Sequence, residues 1–505
     1  MIFNITCYDL FTIKKQGGHP MKNIQKKRLA IILAALMALP LAACGNQTGN
    51  TEATQATIAT IDEAIQSTAA STADQAGSTA KKLTEADVNT TQTIENTTGG
   101  EHAITADGEK ASYQNVKVVK SGDSSENDEA DFYGDNAAIF ATNGGTLDLS
   151  EIVVKSDGKH ANGVFSYGEG TTVNIKDSYI ETAGNCSGGL MTTGGGTMNA
   201  TNLTINTSGN SSAAIRSDRG GGTVNVDGGY YTTSGTGSPV IYSTADITVS
   251  NAEMTSTASQ GVVVEGKNSV TLNNVNLNAD NNKKNSDKSS YYQAVMIYQS
   301  MSGDAAEGTS SFTMNGGTLT NQNGDVFFVN NTATDINLTN ATITNNDAEG
   351  VFLRAAAAGW GSEGSNGGQV TMNAKQQTIN GDMVVDDVSH LNLYLSDSSV
   401  FTGAINSSGQ AGEVYVDLSG GAKWTLISDS YITSLTCDAD SIDLNGHTLY
   451  VNGKAYTAGT ASTGEAIAVV STGSGHGGGS TPPDKPGEGG SGGSDHGTPP
   501  EKPNN

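Results

Sequence analysis

One short pattern of apolar and polar positions recurs along the chain: a small or polar residue, an apolar one, Asn or Thr, a second apolar one, and another apolar residue five positions on. Thr172-Val173-Asn174-Ile175 with Ile180 is one copy, Thr197-Met198-Asn199-Ala200 with Ile205 the next, and Thr223-Val224-Asn225-Val226 with Tyr231 the one after. Copies start at residues 147, 173, 198, 224, 247 and 270, a spacing of 23 to 26 residues. A period of that length marks a stacked-repeat architecture.

Aligned, the copies make columns of constant chemistry. Leu147, Val173, Met198, Val224, Ile247, Val270, Phe312, Ile336, Val370 and Leu391 stand beside a polar column that holds Asn174, Asn199, Asn225, Thr248 and Thr271, and a further apolar column follows. Apolar, polar, apolar is the period of a strand with one buried face. The apolar residue five positions later begins a second short strand. A third reads Gly163-Val164-Phe165, Gly189-Leu190-Met191 and Ala214-Ile215-Arg216, and Gly, Asn, Asp and Ser fill the turns between.

Three short strands per repeat, with like stacked on like, predict an all-β, right-handed parallel β-helix of about 12–14 coils. One coil cannot bury enough apolar surface to fold alone, so stability must come from stacking. In the third strand, Phe165, Met191, Arg216, Ile241, Val263, Met296, Phe327 and Phe352 align as a column beside Val164, Leu190, Ile215, Val262 and Val351. One of these two columns must face outward, as an apolar stripe that the tether or an insert is expected to cover.

Composition fits a ladder-built protein. Between residues 45 and 480 only Pro239 interrupts the supply of backbone donors. The net charge of −26, with only Arg28, Arg216, Arg219 and Arg354 as arginines, excludes nucleic acid as a partner, because phosphate neutralisation needs clustered cations.

Residues 21 to 43 have the layout of an export signal: Lys22, Lys26, Lys27 and Arg28, then an apolar stretch too short to span a bilayer, then Leu41-Ala42-Ala43 before Cys44. The tetrad ending in Cys44 resembles the lipobox of bacterial lipoproteins, which implies lipid attachment at Cys44 and an extracytoplasmic, membrane-anchored setting in the cell envelope. Translation is expected to begin at Met21, with residues 1 to 20 an upstream over-extension. Residues 44 to 110, rich in Thr, Ala, Gln and Ser, read as a tether, residues 111 to 470 as the β-helix, and residues 471 to 505 as a disordered Gly/Pro/Ser tail. Cys186 and Cys437 are about ten coils apart, too far to bridge one another, and each is expected to be a small stacked residue with no disulfide.

Chemistry is expected where the period fails. A long gap between Val270 and Phe312 carries Lys283, Lys284, Lys288, Tyr291, Tyr292 and Tyr298, and another between Ile336 and Val370 carries Arg354 and Trp360. Aromatic rings suit the faces of sugars and cations suit hydroxyls or uronates, although a loop packed down on the solenoid would look the same in sequence. Arg216-Ser217-Asp218-Arg219 is the one cluster that sets arginines beside a carboxylate. Asp123, Glu126, Asp128, Glu129, Asp131 and Asp135 crowd one loop, a weak candidate for Ca²⁺, but their spacing matches neither an EF-hand nor a repeat-type calcium motif. No cofactor is required, and Ca²⁺ is the single candidate.

The segments GVFSYGEGTTVNI, SSAAIRSDRGGGTVNV, SPVIYSTADITVSNA and VEGKNSVTLNN resemble the adhesin-like β-helix surface lipoproteins and autotransporter-type passengers of bacteria, within the wider pectate-lyase-like architecture. The resemblance implies a non-catalytic cell-surface protein that binds glycans, polysaccharide or a host surface. Its alternative implication is a Ca²⁺-dependent polyuronate lyase, in which Arg216, Asp218 and Arg219 would supply the chemistry. The proline-containing motif around such a lyase site is missing here.

Overall fold

The computed structural model describes residues 77–469, apart from 127, 287, 289 and 410. The export signal, Cys44, residues 44–76 of the tether and the 471–505 tail lie outside that range. Within it the chain is a right-handed parallel β-helix. First strands such as Thr172–Lys176 and second strands such as Tyr179–Thr182 belong to one long sheet, joined where Gly196–Thr207 and Gly222–Thr233 run through both. Third strands form a separate sheet of 11. Among the described residues every pairing between named strands is parallel except the hairpin of Leu449–Val451 with Lys454–Ala455, which folds over the last coil.

The bend between first and second strands sits at one stacked position. Asn115, Glu151, Asp177, Asn202, Asn251, Asn274 and Asn340 occupy it with φ between 48° and 59°, and Gly228 and Gly316 take the two coils between. Asn is the side-chain-bearing residue that tolerates this left-handed conformation best, which is why the column is rich in it. Outside the first strands an amide ladder runs up the solenoid. Asn174 donates to Asp148 (2.8 Å), Asn199 to Asn174 (2.9 Å) and Asn225 to Asn199 (3.0 Å).

The register corrects two columns. Ile336 pairs with Met372, not Val370, a shift of two residues that leaves the same face buried. In the third strand the inward column is Val164, Leu190, Ile215, Ile241, Val262, Val295, Phe327 and Leu353, and the outward one is Phe165, Met191, Arg216, Tyr242, Val263, Met296, Phe328 and Arg354. Ile241 and Phe327 thus belong inside, and Phe352 precedes the strand.

Both covers of the outward stripe come from the chain itself. The short helix Asp128–Tyr133 and the turn after it lie over Phe140, Phe165 and Met191. Farther along, Trp360 and Ala356 from the second insert close on Val263, Met296, Tyr298 and Phe328.

The solenoid begins earlier than the expected boundary at 111, because Gln92–Asn96 already pairs with Val116–Lys120. Before it, residues 77–91 form a strap along the second-strand face. Gly77 N–H donates to Asn274 O (2.7 Å), Tyr230 Oη donates to Ala80 O (3.1 Å), Leu83 N–H donates to Thr204 Oγ1 (2.8 Å), and Glu85 meets Lys117 (2.6 Å). The strap therefore travels toward the first coil, opposite to the growth of the solenoid.

Candidate functional site

The richest chemistry lies on the third-strand face between the two covers. Arg216 points outward from Ile215–Ser217, and its Nη2 reaches Asp218 Oδ2 at 2.8 Å and Asp131 Oδ2 at 3.2 Å. Asp131 comes from the covering helix, where it and Ala130 are buried. It also accepts from Asn162 Nδ2 (3.2 Å) and lies 3.2 Å from His160 Nδ1. One guanidinium thus serves two buried carboxylates, and the two respond in opposite directions. Burial pushes Asp218 up to about 7 against the pull of Arg216. Asp131 is held below the usual carboxylate range, because Arg216, His160 and Asn162 together outweigh its burial. Asp131 has His160 and Asn162 as additional partners, so of the two carboxyls Asp218 is the more readily protonated.

Arg219 closes the top of this cluster. Its Nε and Nη2 both donate to Asp304 Oδ1 (3.1 and 2.7 Å), and its guanidinium lies 4.0 Å from the centre of the Phe132 ring. Asp304 belongs to the stretch that follows Gln293–Tyr298, so this contact fastens a loop of the first insert to the helix. Deeper along the same face, Glu265 is fully buried and accepts hydrogen bonds from Tyr242 and from Tyr298 Oη (2.9 Å). Burial raises the pKa of Glu265, and burial beside that carboxylate raises both phenols.

The insert residues divide. Trp360 and Tyr298 are buried against each other with ring centres 5.1 Å apart. Arg354 forks onto Asp325 (2.6 and 3.2 Å) and stacks on Tyr291 at 4.3 Å. These four side chains are cover and core, and they present no aromatic platform to solvent. Lys283 and Lys284 remain exposed, with Lys284 Nζ 5.6 Å from the centre of the Tyr292 ring.

The acidic loop does not gather around one point. Asp131 is committed to Arg216, Asp123 Oδ1 accepts from Lys159 N–H (2.8 Å), and Glu126, Glu129 and Asp135 border a shallow concavity of about 430 Å³ beside Tyr133. Among the described residues no three acidic groups of this loop bring donor atoms within 4.8 Å of one another. Asp131, His160 and Cys186 do come that close. Asp131 is already held by Arg216 and His160, however, so the three groups are not a free ligand set. Cys437 is buried and unbridged.

Sequence reasoning found Arg216, Asp218 and Arg219 but missed Asp131, His160, Tyr242, Glu265 and Asp304 as their company. Asp131 carried a signal, being the acid set between Ala130 and the Phe132-Tyr133 pair. Glu265 ends the apolar run Val262-Val263-Val264, where a lone carboxylate must find donors.

No family model, curated protein or solved structure matches this chain. The fold assignment therefore stands on strand register and burial alone.

Proposed function

We propose that this is a non-catalytic, lipid-anchored surface protein whose β-helix binds glycans or a host surface. The observation that carries the reading is the closure of the Arg216, Asp218 and Arg219 constellation. A lyase would need Arg216 or Arg219 to accept the substrate's proton. Arg216 is buried between two carboxylates that raise its pKa above its already high ordinary value, the opposite of what a base requires. Arg219 is spent on Asp304 and Phe132. With Trp360 and Tyr298 packed inward, the candidates for glycan contact are the exposed Lys283 and Lys284 with the half-buried Tyr292, and the polar ladder of the first strands.

The test is retention of the mature protein on a panel of insoluble polysaccharides, with and without chelator, scored also for new reducing ends and unsaturated products. Retention without cleavage, weakened by Lys283→Ala with Lys284→Ala, is expected. Release of unsaturated oligosaccharides, or no retention by any polysaccharide or host-cell surface, would refute the reading. Labelling with a radioactive fatty acid, lost in Cys44→Ser, tests the anchor.

A further inference from the structure

Lys120 is out of place in its column. It ends Val116–Lys120 with its side chain directed into the solenoid and no exposed surface. In the coils that follow, this stacked position holds Ser156, Thr182, Thr207, Thr233 and Ser256. There a hydroxyl locks the next turn, as when Thr182 Oγ1 donates to Ser187 O (2.6 Å). A short hydroxyl does that work, so a buried amine on a four-carbon stem calls for another explanation.

The residue paired with Lys120 across the coils is Asn96. Lys120 Nζ donates to Thr98 O (2.7 Å) and Ser121 O (2.8 Å), and Thr98 N–H donates to Asn96 Oδ1 (2.8 Å). Amine and carboxamide are thus gathered at the two ends of a single residue, Thr98. On its other side Asn96 Nδ2 donates to Glu101 Oε2 (3.2 Å) and His102 O (3.1 Å). Glu101 is solvent-exposed, on the side from which a small leaving group can depart.

From this juxtaposition of a buried amine, an in-register carboxamide and an adjoining carboxylate we infer that Lys120 and Asn96 form an intramolecular amide cross-link between the first two coils. The Nζ lone pair attacks Asn96 Cγ, and the carbonyl π electrons move onto Oδ1. Glu101 takes a proton from Nζ and delivers one to Nδ2. Collapse of the tetrahedral centre breaks the Cγ–Nδ2 bond, ammonia leaves, and Glu101 is regenerated, with no oxidant or cofactor involved. Burial supports the first step, since it lowers the pKa of Lys120 and so favours the neutral, nucleophilic amine. The bond would fasten the coil that most needs it. Gln92–Asn96, Ile104–Asp107 and Lys110–Gln114 each pair with a neighbour on one side only among the described residues, and such terminal elements fray first.

Mass spectrometry of the full-length mature protein after tryptic digestion decides the matter. The expected result is a branched peptide joining Asn96 to Lys120, lighter by one ammonia than its two parts, with cleavage after Lys120 blocked. Lys120→Arg and Asn96→Ala should yield only linear peptides. Glu101→Gln, a surface change that circular dichroism can show to be folded, should lower the linked fraction by at least tenfold. Cleavage after Lys120 together with an intact Asn96 amide in the wild-type protein would overturn the proposal. Undiminished linkage in Glu101→Gln would overturn the proton relay.

Discussion

Replacing Arg216 with Met keeps the aliphatic stem and removes the charge that two carboxylates share. The side chains of Asp131 and Asp218 are 5% and 8% exposed and lie 3.2 and 2.8 Å from Nη2, so neither can turn to water without moving the helix or the turn that carries it. Removing one member of such a buried ion cluster costs about 3–5 kcal/mol. Read locally, that speeds hydrogen exchange at the Ile215–Ser217 amides by about a hundred-fold to a few thousand-fold. The pH dependence has a definite sign. Without Arg216 both carboxyl pKa values stand above their unfolded values, so their contribution is fully present below the unfolded pKa of about 3.9 and is lost as pH rises through the folded ones. The deficit of Arg216→Met should therefore be largest near pH 8 and shrink toward about pH 4. In the wild-type protein Asp218 already behaves this way around 7, while Asp131, held low, adds stability above its unfolded value and loses it only in acid. Combining Arg216→Met with Asp131→Asn and Asp218→Asn should recover most of the loss, since the neutral set buries no uncompensated charge. A penalty below about 1 kcal/mol, or one equal at both pH values, would refute the account of a shared guanidinium.

Three further outcomes follow from the packing. Gly209→Ala places its Cβ 1.8 Å from Gly184 O, a backbone atom that cannot step aside, so thermal unfolding should shift far more than for Gly303→Ala, which meets no atom within 4 Å. At Gly303 only the left-handed φ of 81° opposes the methyl group, for about 1 kcal/mol. Trp360→Ala should leave the sheet signal in circular dichroism unchanged while removing about 3–5 kcal/mol of local packing, so limited proteolysis within residues 355–367 accelerates; unchanged resistance would show that the insert is not held by its indole. Asn199→Ala deletes the donor to Asn174 and the acceptor for Asn225, and calorimetry should find a loss of about 1–2 kcal/mol, at the low end because the ladder is only half buried.

The first strands were legible because one face meets the core and the other meets water, so Val173, Asn174 and Ile175 announce their directions. The third strands were not, where both faces are covered: Asp325–Asn330 is buried at every position, and alternation disappears. That is why Phe327 could pass for Phe328. The Val240-Ile241 pair hid the parity of Tyr242 in the same way, since both its members are apolar. At the candidate site, Arg216 and Asp218 stood together in sequence and were found together. Asp131 reaches Arg216 from a helix that the strand period does not describe, with His160 of another coil against it, and no local spacing encodes that meeting. The aromatic residues of the inserts were the ambiguous case. Trp360 has the same chemistry whether it awaits a sugar ring or covers Met296, and only its burial distinguishes the two.

The strap has a consequence for the order of events during synthesis. Residues 77–88 leave the ribosome before any coil of the solenoid, yet the partner of Gly77 is the carbonyl of Asn274, which is made only after the coils carrying Thr204 and Tyr230. The earliest part of the described chain is thus among the last to be sealed, and its long-range closure is of the slow kind. Until then the second-strand face is open along several coils, so a partial product of this protein is a ladder waiting for its own beginning.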